Sequence, residues 1–326
     1  SEGNKLPYEN DVIIEKFQAI TGIKSRRYAD DGDATSDLGT VAAIKAIKDA
    51  GIDAETIDQL IVAHNFADVH KGNLQADILP SIASRIKHNL GIENPDCVAY
   101  DLLFGCPGWL QGIIQSNAYI SSGMAKTCLI IGAETLSRVV DIHDRDSMIY
   151  ADGAGACILQ KNEGQNNRGI LSSASQSFTK EEAYYLYSGH SFSPKISNGS
   201  RFIKMHGRKI YEFALNNVPT AMKVCFDKSG EDIKDLKKVL IHQANDKMDI
   251  AIVKRFYKLY GYRMVPENAL PMSISKLGNS SVATIPTLYD LILKDQCADH
   301  QLTKGDLVLF ASVGSGMNIN AITYRL

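Results

Sequence analysis

Apolar and polar positions alternate along the chain in blocks that read as strand, helix, strand, helix, the pattern of an α/β protein. Val98 to Phe104 reads as a buried strand, and behind it Leu110, Ile113, Ile114, Ala118 and Ile120 recur at helical spacing. Gly105 permits a sharp turn between the two, and Pro107 suits a first helical position, where its missing N–H would be unpaired in any case. Cys106 stands at that junction. A thiol at a helix N-terminus meets the positive end of the aligned peptide dipoles, which favours the thiolate and makes Cys106 a candidate nucleophile.

One plan occurs twice. A helical stretch from Val41 to Ala50 leads to the apolar strand around Leu60-Ile61-Val62 with the polar exit His64-Asn65. A stretch from Val218 to Asp227 leads in the same way to Val239-Leu240-Ile241 and the exit His242-Gln243-Ala244-Asn245. Downstream, Phe104-Gly105-Cys106 and its helix are echoed by Leu277-Gly278-Asn279 followed by a helical stretch from Ser281 to Leu293. The strand Cys128 to Ala133 is echoed by Leu307 to Ser312. Three echoes in one order predict two similar halves about a pseudo-twofold axis, with Cys106 and Asn279 at the tops of two facing helices. The polar turn from Gln160 to Gly169 places the boundary between residues 1–165 and 166–326. Ser175 to Ser200, rich in Tyr, Ser and Gly without clear periodicity, reads as an excursion over the surface beside the site entrance.

Composition narrows the function classes. The formal net charge of −2 argues against bulk capture of nucleic acid. No apolar run reaches the roughly 20 residues that span a bilayer. Ser1 to Pro7 lacks a signal-peptide pattern, and none of the six cysteines forms a C-x-x-C pair. That usage fits a reducing cytoplasm and gives neither a disulfide framework nor a zinc site.

A nucleophilic cysteine needs an oxyanion site and proton-handling partners. Taken singly, His242 reads as a core imidazole and Asn279 as a helix cap. Their place in the repeat opposite the cysteine reverses the odds. Together they suit the donation of two hydrogen bonds to a thioester oxygen while an adjacent carboxylate leaves as CO2, because neutral donors stabilise the enolate without protonating it. The turn Val313-Gly314-Ser315-Gly316-Met317 could supply backbone N–H groups to an oxyanion together with that of Cys106.

These residues, with Thr21-Gly22-Ile23, Arg26-Arg27, Asp144-Arg145-Asp146, Tyr150-Ala151-Asp152-Gly153-Ala154-Gly155-Ala156, Met205-His206-Gly207-Arg208-Lys209-Ile210-Tyr211 and Gly278-Asn279-Ser280-Ser281, span nearly the whole chain. In that order they resemble the β-ketoacyl-acyl carrier protein synthase III family of the thiolase superfamily. The resemblance implies a five-layered αβαβα thiolase fold, an obligate homodimer and a Cys106–His242–Asn279 triad. Cys106 would take an acyl group from acyl-CoA or an acyl-carrier protein. Malonyl-acyl carrier protein would be decarboxylated with help from His242 and Asn279 to give a 3-oxoacyl product. The N–H groups of Cys106 and Ser315 would form the oxyanion hole, and no cofactor or metal would be bound. Arg145 and Asn245 would meet the substrate or its carrier. Lys247, Lys254 and Arg255 fall on one helical face after His242, placed for an acidic carrier protein.

Three departures from the family pattern carry consequences. Little sequence precedes Thr21, so the family's first strand has no counterpart. Lys16 and Ile20 stand where acetyl-CoA-primed bacterial members carry an aromatic residue and an arginine against the adenine, which leaves Arg145 as the matching contact and points to a protein-borne donor. Leu79 aligns with a phenylalanine that often limits the acyl pocket from the dimer partner, so a longer or branched acyl group is expected. The second cysteine and acidic partner used by thiolases and hydroxymethylglutaryl-CoA synthases are not evident in the sequence. The alternatives are an acyltransferase passing its acyl group to a non-malonyl nucleophile, a non-catalytic partner subunit, and a cysteine hydrolase.

Overall fold

The computed structural model describes residues 5–73, 75–161, 164, 168–196 and 199–326. Helix α1 (Asn10–Thr21) precedes a first alternating run of α2 (Thr35–Ala50), β1 (Gln59–Ala63), α3 (Ile82–Asn89), β2 (Val98–Leu102), α4 (Gly108–Ser121), β3 (Thr127–Thr135) and β4 (Asp152–Gln160). The second run comprises β5 (Gly169–Ser177), the paired strands β6 (Leu186–Gly189) and β7 (Phe202–Met205), then α5 (Gly207–Ser229), β8 (Leu236–Ile241) and α6 (Asp246–Lys258). It closes with α7 (Ile274–Leu277), α8 (Thr284–Leu293), β9 (Leu307–Gly314) and β10 (Asn318–Arg325).

The two main sheets have the orders β2-β1-β3-β4 and β5-β10-β9-β8. In the first, β1 runs parallel to β2 and β3, and β4 returns antiparallel to β3. In the second, β8 is parallel to β9, and β10 returns antiparallel to both β9 and β5. β1 and β3 thus match β8 and β9, as the sequence echoes predict, and the structure adds the match of β4 to β10. The place beside β4 that corresponds to β5 holds no strand among the described residues. The boundary at residues 165 and 166 lies outside the described residues, between the end of β4 and the start of β5 in the chain.

Side-chain alternation builds the layers. On β3, Leu129, Ile131 and Ala133 pack outward with Ile57, Leu60 and Val62 and the apolar faces of α2 and α3. Cys128 and Ile130 point inward instead, to Trp109, Leu110 and Ile113 of α4 and Ile285, Leu288 and Ile292 of α8. The same inner cluster takes Leu240 of β8 and Val308 and Phe310 of β9. Outside the second sheet, α5 and α6 cover Val239, Ile241, Leu309 and Ala311. Helices, sheet, helices, sheet, helices follow in that order, a five-layered αβαβα arrangement. All nine residues of β3 are buried, as expected of a strand covered on both faces.

Three expectations need correction. β2 ends at Leu102 and is half-buried, with Val98 50% exposed, because it is the edge strand of its sheet and covered on one side only. The Ser175–Ser200 stretch is more ordered than its composition implies: it contains the end of β5 and all of β6, which pairs with β7 in an antiparallel ribbon. The stretch after Asn279 begins as a short 3-10 turn over Ser281–Ala283 before α8, so Asn279 does not cap that helix.

Candidate active site

Both sheets deliver their inner-face side chains to one place at the carboxyl ends of their parallel strands. Period-two alternation carries the inner face of β8 from Leu240 to His242, which is 4% exposed, and that of β3 from Ile130 to Glu134, which is 1% exposed. Cys106 arrives from the turn after β2. Gly105 there has φ +68, and a Cβ on it would lie 2.7 Å from the Ser315 backbone nitrogen. A Cβ on Gly314 would strike the Cys106 backbone in the same way, with Pro107 Cδ at 2.7 Å. These two glycines let the Cys106 turn and the β9 exit press backbone against backbone.

Asn279 is held by its main chain: its N–H donates to Ile149 O at 3.0 Å and its carbonyl accepts from Ala151 N–H at 2.8 Å. Its side-chain oxygen accepts the Ser281 N–H at 2.8 Å, which leaves the amide NH2 to donate elsewhere. Ser281 has φ +53, an uncommon conformation for a residue with a Cβ. Its hydroxyl donates to Cys106 Sγ at 3.3 Å and accepts from Asn65 Nδ2 at 2.9 Å. The Asn65 amide also donates to Glu134 Oε1 in a very short contact, and the Asn65 N–H lies 3.4 Å from Glu134 Oε2. Next to it, His64 accepts the Ala67 N–H on Nδ1 at 3.0 Å, which puts the ring proton on Nε2, 3.0 Å from Asp101 Oδ2.

Burial governs the titration of these groups. It pushes the Cys106 thiol up to about 11, with Ser281 pulling the other way and Glu134 adding to the rise. Cys106 therefore rests as a neutral thiol, and the dipole at the start of α4 does not overcome desolvation, contrary to the expectation from position alone. Burial pushes His242 down to about 4, against a backbone hydrogen bond with Ser281, so the imidazole is neutral at physiological pH. Burial also raises Glu134 to about 7, with His64, Asn65 and Ser281 opposing it.

Cys106, His242 and Asn279 line one cavity of about 430 Å³ whose walls include Ile20, Thr21, Arg145, Tyr150, Asn245 and Gly314. On the other side of Cys106 a smaller cavity of about 220 Å³ is lined by Asn65, Phe66, Tyr150, Ile203, Ser281 and Ser315. The Arg145 segment is fixed from below. Lys204 of β7 is buried with its Nζ 2.6 Å from Asp141 and 3.0 Å from Asp144, and Asp144 caps the turn that starts at Arg145.

Asn245 caps α6, its oxygen accepting the Met248 N–H at 3.1 Å. Lys247, Lys254 and Arg255 are exposed on that helix, and Arg255 is tied to Leu215 O and Asn216. Leu79 is 82% exposed and lines neither cavity of this chain. Lys16 lies with its Nζ 3.4 Å above the Tyr8 ring on the wall of the larger cavity. Sequence reasoning missed Glu134, Asn65 and Ser281 as parts of the site. The available signal was an acidic side chain, in inward phase, ending an otherwise apolar strand.

Comparison with known proteins shows the family. The family model for 3-oxoacyl-[acyl-carrier-protein] synthase III matches residues 100–178, and the model for its C-terminal part matches residues 226–326. The chain is similar to a β-ketoacyl-[acyl-carrier-protein] synthase III of Ruegeria pomeroyi, 33% identical over 97% of this chain and 91% of the relative. One from Brucella suis is 31% identical over 94% of this chain and 88% of that protein. The crystal structure of 3-oxoacyl-[acyl-carrier-protein] synthase III from Aquifex aeolicus superposes with a TM-score of 0.80 at 27% identity, covering 96% of this chain and 91% of that one.

Proposed function

The chain belongs to the 3-oxoacyl-[acyl-carrier-protein] synthase III family and is a condensing acyltransferase of the thiolase fold, and from that premise we propose how its residues divide the work. Cys106 attacks the carbonyl carbon of an acyl thioester. The backbone N–H groups of Cys106 and Ser315 receive the developing oxyanion, a role supported by the close approach of those two turns across Gly105 and Gly314. The acyl chain then occupies the 220 Å³ cavity, which leaves the 430 Å³ cavity for the incoming malonyl group on its carrier arm.

His242 and Asn279 next bind the malonyl thioester oxygen. A donor here must not transfer its proton early, or the carbanion is quenched before it reaches the acyl-enzyme. An imidazole held neutral by burial and a carboxamide whose oxygen is already occupied by Ser281 both meet that requirement. Loss of CO2 leaves electron density at the malonyl α-carbon, which attacks the Cys106 thioester and expels the sulfur, giving a 3-oxoacyl-carrier product. The single observation that carries this reading is the convergence on one cavity of Cys106, from the turn after β2, His242, from the end of β8, and Asn279, from the loop after α7. It also disfavours a non-catalytic subunit.

The carrier is an acidic acyl carrier protein docking over Arg145, Asn245 and the exposed Lys247, Lys254 and Arg255. The donor is carried on protein rather than CoA, supported by the Lys16–Tyr8 stack that occupies the wall where an adenine grip is expected. Two copies pair along the open β2 edge, where Ile78, Leu79, Val98 and Leu103 are all more than half exposed or close to it, at 61%, 82%, 50% and 67%. Leu79 then reaches the partner's acyl cavity and admits a longer or branched chain. The halves divide at residues 165 and 166, and no metal or cofactor takes part. Among the described residues no helix is long and apolar enough to cross a membrane, and the six cysteines are unpaired, which supports work in the cytoplasm.

The test couples intact-protein mass with CO2 release from malonyl-carrier protein. The parent forms an acyl adduct and releases CO2. Cys106→Ala forms no adduct, while His242→Ala and Asn279→Ala acylate but lose CO2 release by about 100-fold or more. Adduct formation without any CO2 from the parent overturns the condensing role.

A further inference from the structure

A neutral thiol needs somewhere to send its proton as it attacks, and a buried neutral His242 whose pKa lies near 4 is a poor acceptor. We propose that Ser281 and Glu134 form the proton relay of the acylation step: the Cys106 thiol passes its proton to Ser281 Oγ while the serine proton moves to the Glu134 carboxylate.

Ser281 links the Cys106 sulfur to Asn279 and to Asn65. Its hydroxyl donates to Cys106 Sγ, and its N–H donates to the Asn279 side-chain oxygen. That hydroxyl also lowers the proton affinity of Glu134, whose carboxylate shares the Asn65 amide with it. With one proton it can serve only one acceptor at a time, so rotation about the Cβ–Oγ bond gives two states. Pointing at sulfur it stabilises a thiolate; pointing at the carboxylate it exposes a lone pair to the thiol. Asn65 holds the pair together by donating both amide protons, one to Ser281 and one to Glu134. The left-handed backbone of Ser281 aims the hydroxyl at the sulfur from the site's inner side.

The step balances. The S–H bond breaks and the sulfur pair forms the new C–S bond, while the donor carbonyl π pair moves to oxygen. Glu134 gains one proton. Collapse of the oxyanion breaks the donor C–S bond, and the departing thiolate takes the proton back through Ser281, so the enzyme returns without net charge change. Glu134, raised by burial to about 7, accepts a proton readily at neutral pH yet releases it again.

The inference rests on acylation of Cys106, and the experiment separates the two. Rapid-quench intact mass follows acyl adduct formation across roughly pH 5.5 to 9 for the parent, Glu134→Gln, Ser281→Ala and Cys106→Ala. The parent rate rises through an inflection near 7, where Glu134 becomes ionised. Glu134→Gln loses that inflection and acylates about 100-fold more slowly at neutral pH, keeping only the alkaline rise of the thiol itself. Ser281→Ala behaves alike, and Glu134→Asp recovers part of the rate. If no variant including the parent forms an adduct, the nucleophile assignment fails. If the parent acylates and both relay variants do so within about threefold with its pH profile, the relay alone is wrong. Should Glu134→Gln fail to fold, the Ser281→Ala profile and the parent inflection decide the matter by the same criteria.

Discussion

Gly105 shows how one missing methyl group shapes the site. Its φ of +68 is open to glycine, and the space a Cβ needs is filled by the Ser315 backbone nitrogen at 2.7 Å. Gly105→Ala therefore forces the Cys106 turn away from the β9 exit. We expect a loss of about 1–3 kcal/mol in unfolding free energy and at least tenfold slower acylation, with bulk secondary structure retained by circular dichroism. Parent-like acylation in that variant would show that the two turns need not touch. That Cys106, His242 and Asn279 share one cavity was legible in the sequence through the repeated plan, which set the last two opposite the cysteine although neither stands out alone. Glu134 and Ser281 were not, since their contact with the sulfur depends on which face of β3 points inward and on the unusual backbone of Ser281. Position also misled in one respect: a helix N-terminus lowers a thiol's proton affinity, yet enclosure at Cys106 raises it further.

At the scale of elements, the sequence period was sufficient wherever a strand or helix is covered by its own chain. β3 and β9, both continuously apolar, are central strands as expected. β2 carries a similar pattern but lies at an edge, and an apolar run does not by itself reveal whether both of its sides are covered. β6 and β7 escaped notice because a four-residue ribbon has too few alternations to register. α6 shows both kinds of face: it packs Ile252, Val253 and Phe256 into the core while Lys247 and Lys254 remain in water. Lys247→Glu with Lys254→Glu is expected to raise the KM for malonyl-carrier protein about tenfold or more, with kcat nearly constant and the penalty shrinking as salt is added. A KM unchanged by charge reversal would move the carrier elsewhere.

Across the whole molecule, two sheets that share a three-strand order bring their carboxyl ends to one point, so that Cys106 comes from the first run of elements and His242 and Asn279 from the second. The shared inner layer of α4 and α8 fixes that meeting, since Trp109, Leu110 and Ile113 interlock with Ile285, Leu288 and Ile292 between the sheets. Division of labour between the halves makes acylation and decarboxylation separable steps. The most direct measurement is a single-turnover chase: acylate the enzyme, remove the donor, add malonyl-carrier protein and follow intact mass together with CO2. The parent should shed its adduct in step with one equivalent of CO2 and 3-oxoacyl-carrier product, whereas acylated Asn279→Ala should keep its adduct. An Asn279→Ala enzyme that clears the adduct at the parent's rate, with matching CO2, would contradict the joint role of the two halves.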